Sequence, residues 1–198
     1  MNDFCFSGGY IYTGGEYGIF KGANVSGNWE NLGLGHANLV KCLASNGNDL
    51  IAGTGFGFYL SADNGTTWHR STSGIPISSL VPQAVIEDVI VDNGNIYGCS
   101  WGDGIYKSTD GGISWIQANA GLPINVILGI DTVVYLSSLS SLNSILYAGT
   151  GDDGVYKSLS SGASWIAANN GLPTPCGVIN LAVSNPVVYA TIWGEAFI

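Results

Sequence analysis

The stretch that decides the fold of this chain is GIYKSTDGGISW, residues 104–115. The same pattern returns as GFYLSADNGTTW at residues 57–68 and, in a weaker form, as GVYKSLSSGASW at residues 154–165. A fainter copy ends at Trp29. The tryptophans that end the four copies are 39, 47 and 50 residues apart, and a period of this length is typical of propellers and solenoids.

The repeated motif predicts a hairpin between two strands. Gly-aromatic-x-Ser indicates the end of one strand, and Trp indicates the start of the next. Asp-x-Gly between them indicates a tight turn, because Gly supplies the positive φ and the Asp side chain accepts hydrogen bonds from backbone N–H groups of the turn. The Trp ring is expected to be buried between neighbouring repeats. We therefore predict a structural role for Ser61, Asp63, Gly65, Trp68, Ser108, Asp110, Gly112, Trp115, Ser158, Gly162 and Trp165.

The Ser-x-Asp-x-Gly-x-x-Trp pattern resembles the Asp-box, also called the BNR repeat. This repeat occurs in sialidases, sortilin-type receptors, xyloglucan-active hydrolases and a photosystem II assembly factor. Two copies here match at every defining position. Ser160 replaces the Asp of a third copy, and Gly22, Asn24 and Ser26 replace Ser, Asp and Gly in the faint one. The resemblance implies a β-propeller, but the family is functionally mixed, so it implies no single activity.

The whole chain is predicted to be one all-β domain, a β-propeller of four-stranded antiparallel blades. The expected units are residues 2–38, 39–85, 86–126, 127–177 and 178–198. In the fourth unit, Ser137–Ser144 is expected to form an enlarged first turn. Residues 191–198 align with residues 99–106, so the fifth blade is expected to be incomplete. A five-bladed ring, a fragment of a larger ring and a ring completed by a neighbouring chain all fit this pattern.

Composition excludes several kinds of partner. The net charge is −9, with 14 acidic residues against 5 lysines and arginines. A nucleic-acid groove needs clustered cations, so nucleic-acid binding is not expected. Anionic membrane surfaces are disfavoured for the same reason. The longest apolar run, Ile124–Leu136, is interrupted by polar residues and too short to span a bilayer, so membrane insertion is not expected either.

The four cysteines give no sign of a metal site. They show no CxxC spacing and no neighbouring histidine, so we expect buried free thiols and neither a metal nor a cofactor. Asp152 and Asp153 are adjacent, but two acids alone supply too few ligands for calcium. We expect the protein to be extracellular or periplasmic, although no signal peptide follows Met1.

One face of the predicted propeller collects aromatic and acidic residues. The link between the second and third strands of a blade lies on the same face as the links between blades, and the motif hairpins lie on the opposite face. Aromatic rings beside carboxylates suit stacking against sugar rings, with the acids accepting from sugar hydroxyls. Trp101 and Trp193 could instead pack against neighbouring blades. The candidate ligand-binding residues are Tyr17, Phe56, Trp101, Asp103, Asp152, Asp153, Trp193 and Glu195.

The favoured function is binding of a carbohydrate or protein by this face, without catalysis. A glycoside hydrolase, similar to the xyloglucan-active group, is the first alternative, and it needs two carboxyl groups about 5–5.5 Å or 6.5–9.5 Å apart. Sialidase activity is disfavoured, because the resemblance implies an arginine cluster and Arg70 is the single arginine. No Ser/His/Asp arrangement is evident. The second alternative is a self-assembling subunit, a homo-oligomer through its incomplete last blade.

Overall fold

The computed structural model describes residues 3–23, 27–35, 39–76, 84–127 and 130–193. All regular secondary structure in these ranges is β, and they contain no helix that could cross a membrane. The first two units contain β1 (Asp3–Ser7), β2 (Tyr10–Gly15), β3 (Gly18–Gly22), β4 (Trp29–Asn31), β5 (Val40–Asn46), β6 (Asp49–Thr54), β7 (Gly57–Ser61) and β8 (His69–Ser71). The third unit and the link that follows it contain β9 (Ile86–Asp92), β10 (Asn95–Ser100), β11 (Gly104–Ser108), β12 (Ile116–Gln117), β13 (Ile124–Ile127) and β14 (Ile130–Val133). The last two units contain β15 (Leu136–Leu142), β16 (Ile145–Thr150), β17 (Val155–Ser158), β18 (Ile166–Ala167), β19 (Gly177–Ser184) and β20 (Val187–Trp193).

Each of the first four units is a four-stranded antiparallel sheet with its strands in chain order, which we call a blade. The described part of the fifth blade is the hairpin of β19 and β20. The first strands of successive blades lie side by side, so the blades pack one after another. The all-β architecture of four-stranded antiparallel blades, with an incomplete last blade, confirms the fold class predicted from the repeats.

The fourth blade differs from the sequence-based expectation. Ser137–Ser144 does not form an enlarged turn, because most of it belongs to the inner strand β15. The longer link before this blade forms the separate hairpin of β13 and β14. Neighbouring blades bury β15 on both faces, including Leu139 and the small side chain of Ser138. Small serines fit this crowded position, so the strand lacks the apolar–polar alternation from which strands are recognised.

Side chains at one position of the inner strands join consecutive blades. Asp3 Oδ2 accepts a hydrogen bond from the backbone N–H of Leu43 at 2.7 Å, and Asp88 Oδ2 accepts one from Leu139 at 2.7 Å. Ser138 Oγ accepts from the N–H of Leu181 at 3.0 Å in the same way. Burial raises the pKa of Asp88 to about 6, against hydrogen bonds that oppose the rise. This acid therefore belongs to the scaffold.

Apolar side chains on one blade insert into the next blade, and we call each of them a knob. Each knob directly follows the glycine at the start of the third-strand segment: Ile19, Phe58, Ile105 and Val155. The ring of Phe58 stacks on Trp115 with centroids 3.8 Å apart and meets Tyr106 edge-on at 6.4 Å. A side chain at Gly98 would collide with the same ring.

The three residues that receive a knob form what we call a socket. In the third blade the socket consists of Gly98, Tyr106 and Trp115. Matching residues surround two other knobs: Ala52, Tyr59 and Trp68 share a cluster with Ile19, and Ala148, Tyr156 and Trp165 share one with Ile105. The prediction that the repeated tryptophans lie between neighbouring units therefore holds for Trp115 and Trp165, which are both buried.

Candidate ligand-binding face

The turns between the second and third strands are built alike in the middle blades. Thr54, Ser100 and Thr150 end their strands, and each hydroxyl donates to the carbonyl of the glycine that starts or immediately precedes the next strand, at 2.9, 3.1 and 2.8 Å. Gly104 has a φ of 86°, in the left-handed region that a side chain strongly disfavours. The hydroxyl and the glycine together hold each turn in a defined shape.

The links between blades lie beside these turns on the same face, which we call the turn face. The backbone N–H of Trp101 donates to the carbonyl of Val85 at 3.1 Å, and that of Gly151 donates to the carbonyl of Tyr135 at 2.8 Å. In both pairs the acceptor is the residue immediately before an inner strand. Each bond therefore ties a turn to the link that leads into the first strand of the same blade.

Two asparagines in the links anchor the turns, and the sequence analysis did not identify them as positioning residues. Asn119 Oδ1 accepts from the N–H of Ile105 at 2.7 Å, and its Nδ2 donates to the carbonyl of Asp103 at 2.8 Å. Asn169 makes the same pair of bonds to Val155 and Asp153. The signal was the repeated Asn-x-Gly-Leu-Pro of the links, because only asparagine supplies both a donor and an acceptor at this length.

The structure places most of the predicted ligand-binding residues on the turn face. The rings of Tyr17, Phe56, Trp101 and Trp193 are all exposed, one in each blade except the fourth. Asp152 and Asp153 occupy the corresponding turn of the fourth blade and are also exposed. Trp101 therefore does not pack into a neighbouring blade, which was the competing interpretation. Glu195 lies outside the described residues.

Asp103 is the acid of this face whose environment is most unusual. Its side chain is half-buried, and Oδ2 has no hydrogen-bond partner among the described residues. Burial raises the pKa of Asp103, and the nearby Tyr106 hydroxyl opposes this only in part. The unpaired Oδ2 atom is itself buried, so only the exposed part of the Asp103 carboxylate can accept a hydrogen bond from a ligand.

The acids of the turn face belong to different blades. Asp103 lies in the third blade and Asp152 and Asp153 lie in the fourth, on separate turns. Within the described ranges, no group of three histidine, cysteine or acidic side chains is placed to hold a metal ion. All four cysteines are free and buried, as the sequence predicts.

The motif hairpins lie at the other end of the blades. Asp110 Oδ1 accepts from the N–H of Ser114 at 2.9 Å and from Ser108 Oγ at 2.7 Å. Hydrogen bonds from Ser114 hold the pKa of Asp110 at about 2. In the fourth blade, Ser160 accepts from the N–H of Ser164 at 3.1 Å. The hairpin therefore tolerates a hydroxyl in place of the carboxylate, with hydrogen bonds to the same partners that are longer.

The arrangement of blades is similar to that of several solved β-propellers. The extracellular domain of the hybrid two component system BT4673 from B. thetaiotaomicron matches with a TM-score of 0.73 and 16% identity over 97% of this chain and 25% of that one. The GH74 xyloglucanase from Xanthomonas campestris matches with a TM-score of 0.63 and 17% identity over 91% and 32%. YCF48 bound to D1 peptide matches with a TM-score of 0.63 and 16% identity over 97% and 62%.

These likenesses establish the β-propeller fold. This chain spans less than two thirds of each of those three proteins. The neighbours include a glycoside hydrolase and a protein solved with a bound peptide, so the shared fold leaves the activity open. No protein-family model matches the sequence, and no curated protein sequence matches it.

Proposed function

We propose that this chain is a non-enzymatic binding protein that holds a neutral carbohydrate across its turn face. The observation that carries this is the exposed aromatic ring at the turn between the second and third strands of each of the first three blades: Tyr17, Phe56 and Trp101. An aromatic ring offers a flat apolar surface to the C–H face of a sugar, and a carboxylate accepts from its hydroxyls. Rings on successive blades suit a ligand of several sugar units rather than one.

The negative charge of the chain favours a neutral glycan over an acidic one. The chain carries a net charge of −9, and Arg70 is its single arginine. Arg70 Nε already donates to the carbonyl of Phe56 at 3.1 Å and so supports the turn. Acidic glycans would meet repulsion from Asp103, Asp152 and Asp153, so a neutral glycan fits this face best. A location outside the cytoplasm, where such glycans occur, is part of the proposal.

Trp101 is the residue to test first. A glycan array would identify a ligand, and calorimetry with that ligand would compare Trp101→Ala with Ile113→Ala. Ile113 is an exposed residue at the opposite end of the same blade, so it is a matched control. We expect the Trp101 variant to bind about 10-fold or more weakly and the control to bind as the wild type does. Blank arrays, or equal affinities for the two variants, would contradict the proposal; capture of peptides alone would point to a protein ligand.

A glycoside hydrolase is the second candidate, and the environment of Asp103 favours it. A carboxyl group whose pKa is raised by burial can act as a general acid. The sequence offers Glu195, at the corresponding place in the fifth unit, as a second acid. Asp103→Asn should then reduce hydrolysis by about 100-fold or more while glycan affinity is retained. Absence of hydrolysis by the wild type, with glycan binding intact, would leave the binding proposal standing alone.

A further inference from the structure

The turn of the third blade holds its acid more firmly than the turn of the fourth blade does. Both turns carry an aspartate directly before the glycine of the third-strand segment, Asp103 and Asp153. The carbonyl of Asp103 accepts from Asn119 Nδ2 at 2.8 Å and also from Gln117 Nε2 at 3.3 Å. In the fourth blade, Ala167 stands at the position of Gln117 and has no side-chain donor. The backbone of Asp103 is therefore held by one more side chain than that of Asp153.

A tyrosine hydroxyl lies buried beside the Asp103 carboxyl. Tyr106 is fully buried, and its ring meets Phe58 of the second blade edge-on. Tyr106 Oη and Asp103 Oδ2 are both buried, and neither makes a hydrogen bond among the described residues. Burial raises the pKa of Asp103, and the Tyr106 hydroxyl is the titratable group beside it that opposes the rise. A donor and an acceptor, both without a partner, therefore lie next to each other under the turn.

The Tyr106 hydroxyl is protonated at neutral pH and can act as a donor. Burial raises the pKa of Tyr106 above its usual value, and the charge of Asp103 raises it further, although the Gln117 amide opposes the rise. A protonated phenol has one O–H to donate. Buried polar atoms without a partner are unfavourable, so a small rotation of the carboxylate that brings Oδ2 to the hydroxyl would satisfy both atoms at once.

The fourth blade carries the same two residue types in a more open setting. Asp153 and Tyr156 stand at the positions of Asp103 and Tyr106, but Asp153 is exposed and Tyr156 is half-buried. In the described part of the chain, neither of them has a buried side-chain atom that lacks a hydrogen-bond partner. The enclosed pair of hydroxyl and carboxylate is therefore a feature of the third blade that its neighbour does not share.

We propose that Tyr106 is a positioning residue for ligand binding, whose hydroxyl donates to Asp103 Oδ2 from the interior and so directs the exposed part of the carboxylate at the ligand. This inference rests on the proposed function, because that exposed part accepts from the hydroxyls of the glycan. A carboxylate held from the interior loses less rotational freedom when the ligand binds. Asp103 is then a stronger acceptor on the turn face than Asp153.

NMR of the free protein provides the first test. Carbon-13 spectra would follow the Asp103 carboxyl and Tyr106 Cζ as the pH changes. In the wild type, the Tyr106 signal should shift as Asp103 titrates, and Asp103→Asn should abolish that shift. Tyr106→Phe removes the hydroxyl and keeps the ring, so the pKa of Asp103 should rise by about 0.5 or more. Tyr156→Phe removes the same atom from the fourth blade and should leave the pKa of Asp103 unchanged.

Glycan binding provides the second test. Calorimetry between pH 4 and pH 8, with a glycan identified on the array, would compare the two phenylalanine variants with the wild type. We expect Tyr106→Phe to bind about 5-fold more weakly, the effect of one lost hydrogen bond. On acidification this variant should also lose binding at a higher pH, because the carboxylate that accepts the hydrogen bond is protonated earlier. Tyr156→Phe should bind as the wild type does throughout.

The outcomes separate this inference from the proposed function. A blank array would overturn carbohydrate binding and, with it, the role of Tyr106. If glycans bind but the pKa of Asp103 is unchanged in Tyr106→Phe, or both phenylalanine variants lose affinity equally, the positioning role fails and the proposed function stands. The Tyr106 signal in the wild type tests the contact without altering the buried ring, and a signal that does not follow the titration of Asp103 would also overturn the positioning role.

Discussion

The junction between the second and third blades and the outer side of the first blade present the same three positions to different surroundings. At the junction, Trp115 is 2% exposed and stacks on Phe58. At the outer side, Trp29 is 39% exposed and lines an open groove. The comparison shows that the repeat determines which residues form a socket, while the neighbouring blade determines whether the socket stabilises the fold.

Truncating the two tryptophans should give the largest contrast. Trp115→Ala removes the stacked ring and the hydrogen bond from its Nε1 to Ser71 Oγ at 2.9 Å, so we expect a loss of about 3–5 kcal/mol in the free energy of unfolding. Trp29→Ala should cost about 1 kcal/mol or less in the monomer. Urea unfolding followed by circular dichroism would measure both values. Equal losses would mean that blade packing does not explain the burial of the repeated tryptophans.

The acids of the inner strands allow an inner blade and the first blade to be compared in how their stability depends on pH. Burial raises the pKa of Asp88 from 3.8 to about 6, so the folded state binds its proton more tightly than the unfolded state does. The contribution of Asp88 to stability is therefore largest below pH 4 and falls as the pH rises through 6, by up to about 3 kcal/mol. Asp88→Asn should remove this fall, because the amide does not titrate.

The matched variant for Asp88 is Asp3→Asn, which changes the equivalent acid of the first blade. No described blade precedes Asp3, although burial still raises its pKa. Unfolding in urea at pH 4, 5, 6 and 7 would compare each variant with the wild type. We expect the difference in the free energy of unfolding between variant and wild type to change less with pH for Asp3→Asn than for Asp88→Asn. A difference for Asp88→Asn that is constant across these pH values would contradict the expectation.

Enlarging the floor of the socket should give the smallest effect. Gly98→Ala adds a methyl group that meets the ring of Phe58, and overpacking of this kind costs about 1–2 kcal/mol. Thr13 stands at the same position in the first blade, where no described side chain fills the groove. Thr13→Ile should therefore change the free energy of unfolding by about 0.5 kcal/mol or less. A costly change at Thr13 in the monomer would show that its groove is not open.

The hairpins were predictable from the sequence, and the fourth blade was not. A turn such as that of Asp110 depends on hydrogen bonds between residues within four positions of one another. A short stretch of sequence is therefore enough to predict it. The inner strand β15 depends on burial by two neighbouring blades, which lets serines replace the usual alternation. The anchoring of the turn at Asp103 by Asn119 joins residues 16 apart, beyond the reach of a local pattern.

The sequence by itself determined the all-β class, the order of strands within each blade and the positions of the repeated tryptophans. These follow from glycine geometry and from hydrogen bonds between near neighbours. Only the tertiary structure decided which of those tryptophans are buried, how far the pKa of Asp88 rises and which apolar surfaces stay exposed at the two ends. The reason is that burial depends on what the adjacent blade places against a residue, and residues far apart in the chain provide it.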